Sequence, residues 1–454
     1  MKKKICVIGL GYVGLAMSVL CSIIKSKKSY KYNVYGFEKK DINGERIINA
    51  LNNRKLPFKV DDNKFKINLF KILKKKLFQY GFNKEEFSTA DIIILSINFD
   101  VDLKNKKINF NNLKKIIKDI AKRINPKCHI LVESTLPPGT TEMVIYPEIK
   151  KIFKKRKIPE SKIRLSYSFE RVTPGKNYLN SIKNMHRVLG SIDKTSEKEM
   201  SKFLRSILNK KTAKICILNN TTEAEACKIL ENTYRAVNIA FIEEWRNYSS
   251  LLGLNINKIL EYIRLRPTHN NIMKPGISVG GYCLTKDPLF AEISLKKIFK
   301  KKIKFPLSDK AVKINAQMTK NVLSDINKFY KLSSFKNKNV AIFGAAYRQG
   351  VGDTRYSPSS FVYDYFKRLG AKITVIDPYL DFWKEKNVIV NKKYQPKINT
   401  HLAIFLAPHR QFNSMQMKFN YNCLVIDANN VFSEKKIKEI KNNYKNNYII
   451  GRYN

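Results

Sequence analysis

The sequence predicts an α/β protein in which two doubly wound domains, each on a mostly parallel sheet, are joined by a long central helix. Three observations predict it. Near the N-terminus a short apolar segment, a glycine-rich turn and an apolar helical run succeed one another, which is how a strand–turn–helix unit is written. A second unit of the same kind starts at Asn339. Between them, the stretch from Thr222 to Glu261 holds no Pro and a single Gly and keeps a helical apolar period.

Along the chain, Lys4–Ile8 is a buried strand, Leu15–Ile24 a helix and Asn33–Phe37 a second strand that ends at Glu38. Ile92–Ile97, Ile130–Glu133 and Ile163–Tyr167 are further strands; their unbroken apolar runs suit a sheet covered on both faces. The helix from Thr222 is too long for a strand-to-strand crossover. Thr221 or Thr222 can cap it, and Glu223 and Glu225 favour its N-terminus through the helix dipole. Asn339–Phe343, Ser359–Leu369, Lys372–Ile376, His401–Leu406 and Cys423–Asp427 build the second Rossmann-like unit, and the polar tail KKIKEIKNNYKNN is expected to end the chain as a surface helix. The expected division is 1–212, 213–332 and 333–454.

Of the 454 residues, 43% are hydrophobic, which excludes a wholly disordered chain. Lys+Arg 87 against Asp+Glu 37 gives a formal net charge of +50. Lys, Asn and Ile are enriched together along the whole length, whereas a nucleic-acid surface gathers its charge on one element. A nucleic-acid partner is therefore not expected. The seven cysteines are odd in number and none is in C-x-x-C spacing. A disulfide framework and a metal site are not expected, and reduced thiols suit the cytoplasm. Glycines break the apolar N-terminal stretch, so it reads as a strand rather than a signal peptide. No apolar run reaches transmembrane length, and no membrane partner is expected.

Gly9-Leu10-Gly11-Tyr12-Val13-Gly14 is G-x-G-x-x-G between a strand and a helix. In that setting Gly9 permits a tight turn, Gly11 lets backbone approach a pyrophosphate, and Gly14 lets helix and strand pack closely. Glu38 lies 24 residues after Gly14 at the end of the second strand, where a carboxylate bonds a ribose and repels a 2′-phosphate. The expected cofactor is NAD. In Gly280-Gly281-Tyr282-Cys283-Leu284-Thr285-Lys286-Asp287, a thiol comes after exposed backbone, with a Lys to favour the thiolate and an Asp to hold a proton or a water. Lys228 and Asn232, four apart, share a helix face and can stabilise a developing oxyanion. Ile229, Leu230 and Tyr234 around them suggest burial.

Taken in order, these motifs resemble the UDP-glucose/GDP-mannose dehydrogenase family. The likeness also covers Glu133-Ser134-Thr135-Leu136-Pro137-Pro138-Gly139-Thr140-Thr141, Ser168-Phe169-Glu170-Arg171, Asn232-Thr233-Tyr234-Arg235 and Gly344-Ala345-Ala346-Tyr347-Arg348 through Asp353-Thr354-Arg355. The resemblance implies a four-electron, NAD-dependent oxidation of a UDP-sugar primary alcohol to the uronate, for cell-surface polysaccharide precursors. The Cys283 thiol would carry a thiohemiacetal and then a thioester. Lys228 and Asn232 would stabilise oxyanions, Asp287 and Glu170 would handle protons and water, and Thr135 would lie near nicotinamide and substrate. Cofactor contacts would be Gly9, Gly11, Tyr12, Val13, Gly14, Glu38, Ser96, Thr135, Lys286 and Arg355. Substrate contacts would be Glu170, Arg171, Lys228, Asn232, Arg266, Lys274, Gly280, Gly281 and Arg348. A homodimer through the central helix is implied, with Arg266 serving a neighbour's site. Phe169 stands where the family usually has Pro. The segment Arg266-Pro267 to Pro275-Gly276 is similar to the UDP-N-acetylhexosamine branch and Lys286-Asp287 to the UDP-glucose branch, so either sugar remains open. A two-electron dehydrogenase and a basic nucleic-acid-binding protein on the same scaffold are the alternatives.

Overall fold

The computed structural model describes residues 2–26, 29–99, 101–102, 105–332, 335–394 and 399–453. The chain packs as two compact units, Met1–Glu231 with Leu289–Phe305 and Asn232–Pro288 with Pro306–Asn454.

The first unit holds an eight-stranded sheet. Its strands are β1 (Lys3–Ile8), β2 (Tyr32–Phe37), β3 (Phe78–Gly81), β4 (Ile92–Leu95), β5 (His129–Val132), β6 (Arg164–Tyr167), β7 (Arg187–Ser191) and β8 (Ile215–Ile217), in the spatial order β8-β7-β6-β5-β4-β1-β2-β3. Every pair is parallel except β6 with β7. The order reverses at β1, which pairs with β2 on one side and β4 on the other. In open α/β sheets ligands bind outside the strand ends at such a reversal. The helix α1 (Tyr12–Ile23) starts directly after Gly11, three residues earlier than its apolar run suggests. β4 and β5 are buried at every position, and the core around α1 includes Leu15, Val19, Leu20, Ile94 and Leu131.

The second unit holds a parallel five-stranded sheet of β9 (Asn339–Phe343), β10 (Lys372–Ile376), β11 (Thr400–Phe405), β12 (Leu424–Asp427) and β13 (Asn447–Ile449), in the order β10-β9-β11-β12-β13. It too reverses at its first strand, β9. One face packs on Val322, Ile326, Val362 and Phe366, the other on Phe412, Ile437 and Ile440. The tail forms the expected helix, Glu434–Asn443, but the chain then returns as the short edge strand β13, which is not among the strands expected from the sequence.

The central helix, α2 (Thr221–Leu251), is shorter than its apolar period suggests. Gly253 takes φ +68°, and the Leu254 N–H reaches back to the Ser249 carbonyl at 2.9 Å. That five-residue reach with a left-handed glycine is a Schellman stop. A separate helix, α3 (Ile256–Ile263), comes next, capped by the Asn255 side chain.

Within the second unit, Arg246 on α2 is fully buried. Its guanidinium bonds both Glu243 oxygens at 2.8 and 2.9 Å and the Asp325 carboxylate at 2.5 Å. Removing one partner from such a cluster leaves uncompensated buried charge. Arg246→Met is expected to lower unfolding stability by about 3–5 kcal/mol, read from urea denaturation midpoints.

Candidate active site

The glycine turn lies at the C-terminal end of β1. The Gly9 N–H bonds the Phe37 carbonyl at 2.9 Å, and its φ of +89° admits no ordinary side chain. A Cβ on Gly14 would overlap the Gly9 carbonyl, whereas a Cβ on Gly11 would meet nothing within 4 Å. Gly9 and Gly14 are thus required by packing, and Gly11 faces space where a ligand's phosphates can approach. Glu38 accepts from the Leu10 N–H and, at 3.3 Å, from its neighbour Lys39. Burial raises its carboxyl above the usual range, and those two bonds oppose the rise. Tyr12 packs on Phe58 at 4.0 Å between ring centroids, and Val13 is half-buried. Ser96 is tied by its N–H to the Ile8 carbonyl at 2.9 Å, beside the turn.

The loop after β5 carries Thr135, which is half-buried. Its scaffold is polar and buried. The Ser134 hydroxyl accepts from the Ile97 N–H at 2.9 Å. Glu133 pairs with buried Arg187, and burial lifts its carboxyl to about 7. Glu225 of α2 receives the Gly139 and Thr141 N–H groups at 2.6 and 2.9 Å and the Thr141 hydroxyl at 2.6 Å. Burial pushes Glu225 to about 8 despite these donors. The fully buried Glu225 therefore pins the far end of the loop to α2.

Lys228, one turn further along α2, is buried, and its ammonium donates to the Glu170 carbonyl at 3.2 Å. It also sits 5.2 Å from the Phe169 ring, with the Arg171 guanidinium 5.0 Å from the same ring. The phenyl that replaces proline is thus a cation-binding surface. Arg171 is committed to Glu231 at 2.8 Å and to the His186 carbonyl at 2.7 Å. The Glu170 carboxylate accepts from the Val172 N–H. Of the apolar residues expected to shield Lys228, Ile229 is buried, but Leu230 and Tyr234 are exposed. Burial comes instead from the Phe169 side.

In the second unit Asp287 is fully buried between two donors. Lys286 binds its Oδ1 at 2.8 Å, and Asn232 donates to its Oδ2 at 2.7 Å. Lys286 also lies over the Tyr282 ring at 4.5 Å. The ammonium expected to favour a thiolate and to meet the cofactor is therefore held at Asp287. Cys283 is exposed, and its carbonyl receives the Lys286 and Asp287 N–H groups at 3.1 and 2.9 Å. Its approach turn is tight. Gly281 takes φ +87°, and a Cβ on Gly280 or Gly281 would come within 2.5 and 2.7 Å of Tyr347. Arg355 is bonded to Asp353 at 2.7 Å and lies 5.6 Å from the Tyr282 ring. Arg348 is half-buried, and burial lowers its pKa, with Arg235 as a repelling neighbour. Among the described residues neither arginine has a hydrogen-bond or ion-pair partner, so the pair is suited to an anion. Arg266 and Lys274 are exposed.

Sequence reasoning assigned no role to Arg235 or Tyr347. The spacing Lys228, Asn232, Arg235 repeats one helix face and could have marked the arginine. Nothing local marks Tyr347, whose importance is that its ring fills the space left by two glycines distant in sequence.

Three domain models of the UDP-glucose/GDP-mannose dehydrogenase family match this chain: the NAD binding domain at residues 3–208, the central domain at 222–317 and the UDP binding domain at 341–434. The chain belongs to that family. It is an NAD-dependent dehydrogenase of a UDP-sugar. The UDP-N-acetyl-D-mannosamine dehydrogenase of Methanococcus aeolicus is 30% identical over 99% of this chain and 91% of its own. That of Methanocaldococcus jannaschii is 28% identical over 100% and 92%. The solved structure of the UDP-N-acetyl-mannosamine dehydrogenase Cap5O from Staphylococcus aureus superposes with a TM-score of 0.78, covering 99% of this chain and 98% of that one at 22% identity. The fold expected for the family is therefore the fold found, and NAD belongs to the first unit.

The open face of Gly11 gives a direct test of where this dehydrogenase binds NAD. Gly11→Val is expected to fold with an unchanged thermal midpoint, because its Cβ meets no protein atom, and to lose NADH binding in a fluorescence titration.

Proposed function

We propose that the enzyme oxidises the primary alcohol of UDP-N-acetyl-D-mannosamine to the uronate in two successive two-electron steps, with a covalent intermediate on Cys283. The observation that carries this reading is an exposed thiol three and four residues before the buried Lys286 and Asp287, which with Asn232 form a hydrogen-bonded array. An alcohol-to-ketone oxidation needs no nucleophile. The sugar is chosen because the UDP-N-acetyl-D-mannosamine dehydrogenases of Methanococcus aeolicus and Methanocaldococcus jannaschii match the chain along its length. UDP-glucose is the competing substrate.

NAD, bound at the Gly9–Gly14 turn, supplies the hydride acceptor for each step. Lys228 and Asn232 donate to the sugar oxygen as negative charge develops on it. The Cys283 sulfur adds to the aldehyde carbon to give a thiohemiacetal, and loss of the second hydride leaves a thioester. Glu170 orients the water that attacks the thioester, Thr135 lies toward nicotinamide and substrate, and Asp287 takes up and releases the protons. The balance is alcohol, two NAD and water going to carboxylate, two NADH and protons. Arg348 and Arg235 suit the diphosphate, helped by Lys274. Lys286 acts through Asp287, and Arg171 through Phe169 and Glu231, rather than by direct contact. The product would supply cell-surface polysaccharide synthesis, and the reaction belongs in the cytoplasm.

Two NADH per UDP-N-acetyl-D-mannosamine are expected at end point with limiting sugar. Cys283→Ser is expected to stop acid formation while still binding substrate, since an alkoxide is far harder to form than a thiolate at neutral pH. One NADH per sugar with a stable carbonyl product would exclude the covalent route. Oxidation of UDP-glucose alone would move the substrate and leave the chemistry.

We also propose that a second copy of this chain covers α2. Tyr234, Phe241, Trp245, Tyr248 and Leu252 are about half exposed, and Leu230 is 71% exposed. Phe241, Trp245 and Tyr248 form a continuous ladder, with ring centroids 6.4 and 5.4 Å apart. A contiguous aromatic face of this kind marks an interface, and the two-fold dimer is the commonest closed assembly. Arg266, exposed beyond α3, would reach the neighbour's site. Trp245→Glu is expected to convert a dimeric mass to a monomeric one in light scattering and to lower activity with it.

A further inference from the structure

His409 lies outside every motif that the sequence singles out, yet it is fully buried. Its Nδ1 receives the Gly350 N–H at 3.1 Å. The proton must then sit on Nε2, which faces Asp377 Oδ2 at 3.3 Å. That same carboxylate oxygen receives the Ala345 and Ala346 N–H groups, each at 3.0 Å, and Oδ1 receives Tyr379 N–H at 2.8 Å. One imidazole therefore ties both ends of the loop after β9: its start through Asp377, and its far side through Gly350.

What the loop presents gives the tie its consequence. Tyr347 lies between the two anchored ends, with its N–H on the Asp353 carbonyl at 3.0 Å. Its ring fills the space beside Gly280 and Gly281, and burial pushes its hydroxyl to about 12. The Gly281 N–H is bonded to the Arg355 carbonyl at 3.2 Å. Cys283 comes two residues later. The loop is thus the backing of the turn that carries the thiol, and all these groups belong to the second unit.

We propose that His409 is a positioning residue for Cys283: by accepting from the Gly350 N–H it fixes the far side of the loop, whose start Asp377 already holds through Ala345 and Ala346, and so steadies the Tyr347 ring and Arg355 carbonyl that brace the Gly280–Gly281 turn. The inference rests on the reading of Cys283 as the nucleophile. A thiol displaced by a fraction of an ångström stays reactive toward a small reagent and loses its line of attack on a bound substrate.

The test compares His409→Asn, His409→Gln, Tyr347→Ala and the remote core variant Ile440→Ala in the full chain. Alkylation of Cys283 by iodoacetamide is followed by mass spectrometry, alongside kcat and the KM for NAD with UDP-N-acetyl-D-mannosamine. Asn can place Oδ1 where Nδ1 accepts from Gly350; Gln reaches only the Nε2 position. His409→Gln and Tyr347→Ala are expected to speed alkylation severalfold while kcat falls about tenfold to a hundredfold and the KM for NAD stays unchanged. His409→Asn is expected to stay close to the native enzyme in both. Equal behaviour of the Asn and Gln variants would overturn the proposal, as would the same alkylation change in Ile440→Ala at a matched thermal midpoint. If the native enzyme does not oxidise the sugar, the substrate assignment fails, and the alkylation rates still decide the role of His409.

Discussion

The central helix α2 buries polar residues and exposes apolar ones, and much of the molecule is arranged to make that tolerable. Glu225, Lys228, Asn232, Glu243 and Arg246 are all buried, while Leu230, Tyr234, Phe241 and Trp245 are exposed. An unpaired charge in the interior costs several kcal/mol or more, about the whole stability of a domain. Each of these groups is accordingly given partners from elsewhere in the chain. Glu225 has the backbone of the Gly139–Thr141 loop, Lys228 the Glu170 carbonyl and Phe169 ring, Asn232 the Asp287 carboxylate, and Arg246 two carboxylates. For Glu225 and Lys228 the partners lie on the loops after β5 and β6, so satisfying these two groups also fixes those loops.

Both sheets then use one topological device. In each, the first strand is the point where strand order reverses, the place outside which open α/β sheets bind ligands. Gly11 leaves that place open in the first unit, while in the second Tyr347 closes against Gly280 and Gly281. The same kind of loop therefore serves as an approach path in one unit and as a brace in the other. The difference lies in the segment leaving the strand: a helix N-terminus in the first unit, an Asp377-anchored loop in the second.

Desolvation sets the electrostatics. Glu133, Glu225 and Glu38 are all raised by burial, and in each the hydrogen bonds oppose the rise without cancelling it. Asp287 is placed differently, buried between the Lys286 ammonium and the Asn232 amide, each donating to one of its oxygens. The overall excess of positive charge takes little part in these sites. It comes from Lys enrichment along the whole sequence.

The two doubly wound units, the NAD turn and the candidate nucleophilic cysteine are legible in the order of amino acids alone. These features depend on local rules: apolar strands of fixed length, glycines where backbone must turn or be approached, and side chains four apart on a helix. The end of α2 is misjudged by the same rules, because one glycine in an apolar period reads as tolerated until its left-handed φ and backward hydrogen bond are seen. Likewise they do not foresee β13, a three-residue strand too short to show a period, which pairs with β12 at the sheet edge. It takes the folded packing to show that Lys286 is bonded to Asp287 and Arg171 to Glu231, and that Arg348 has Arg235 as a repelling neighbour. The same packing brings Tyr347 and His409 behind Cys283. Such pairings mostly join residues tens of positions apart, and their partners are chosen by burial, where an unmet donor or charge costs more than any local preference can supply.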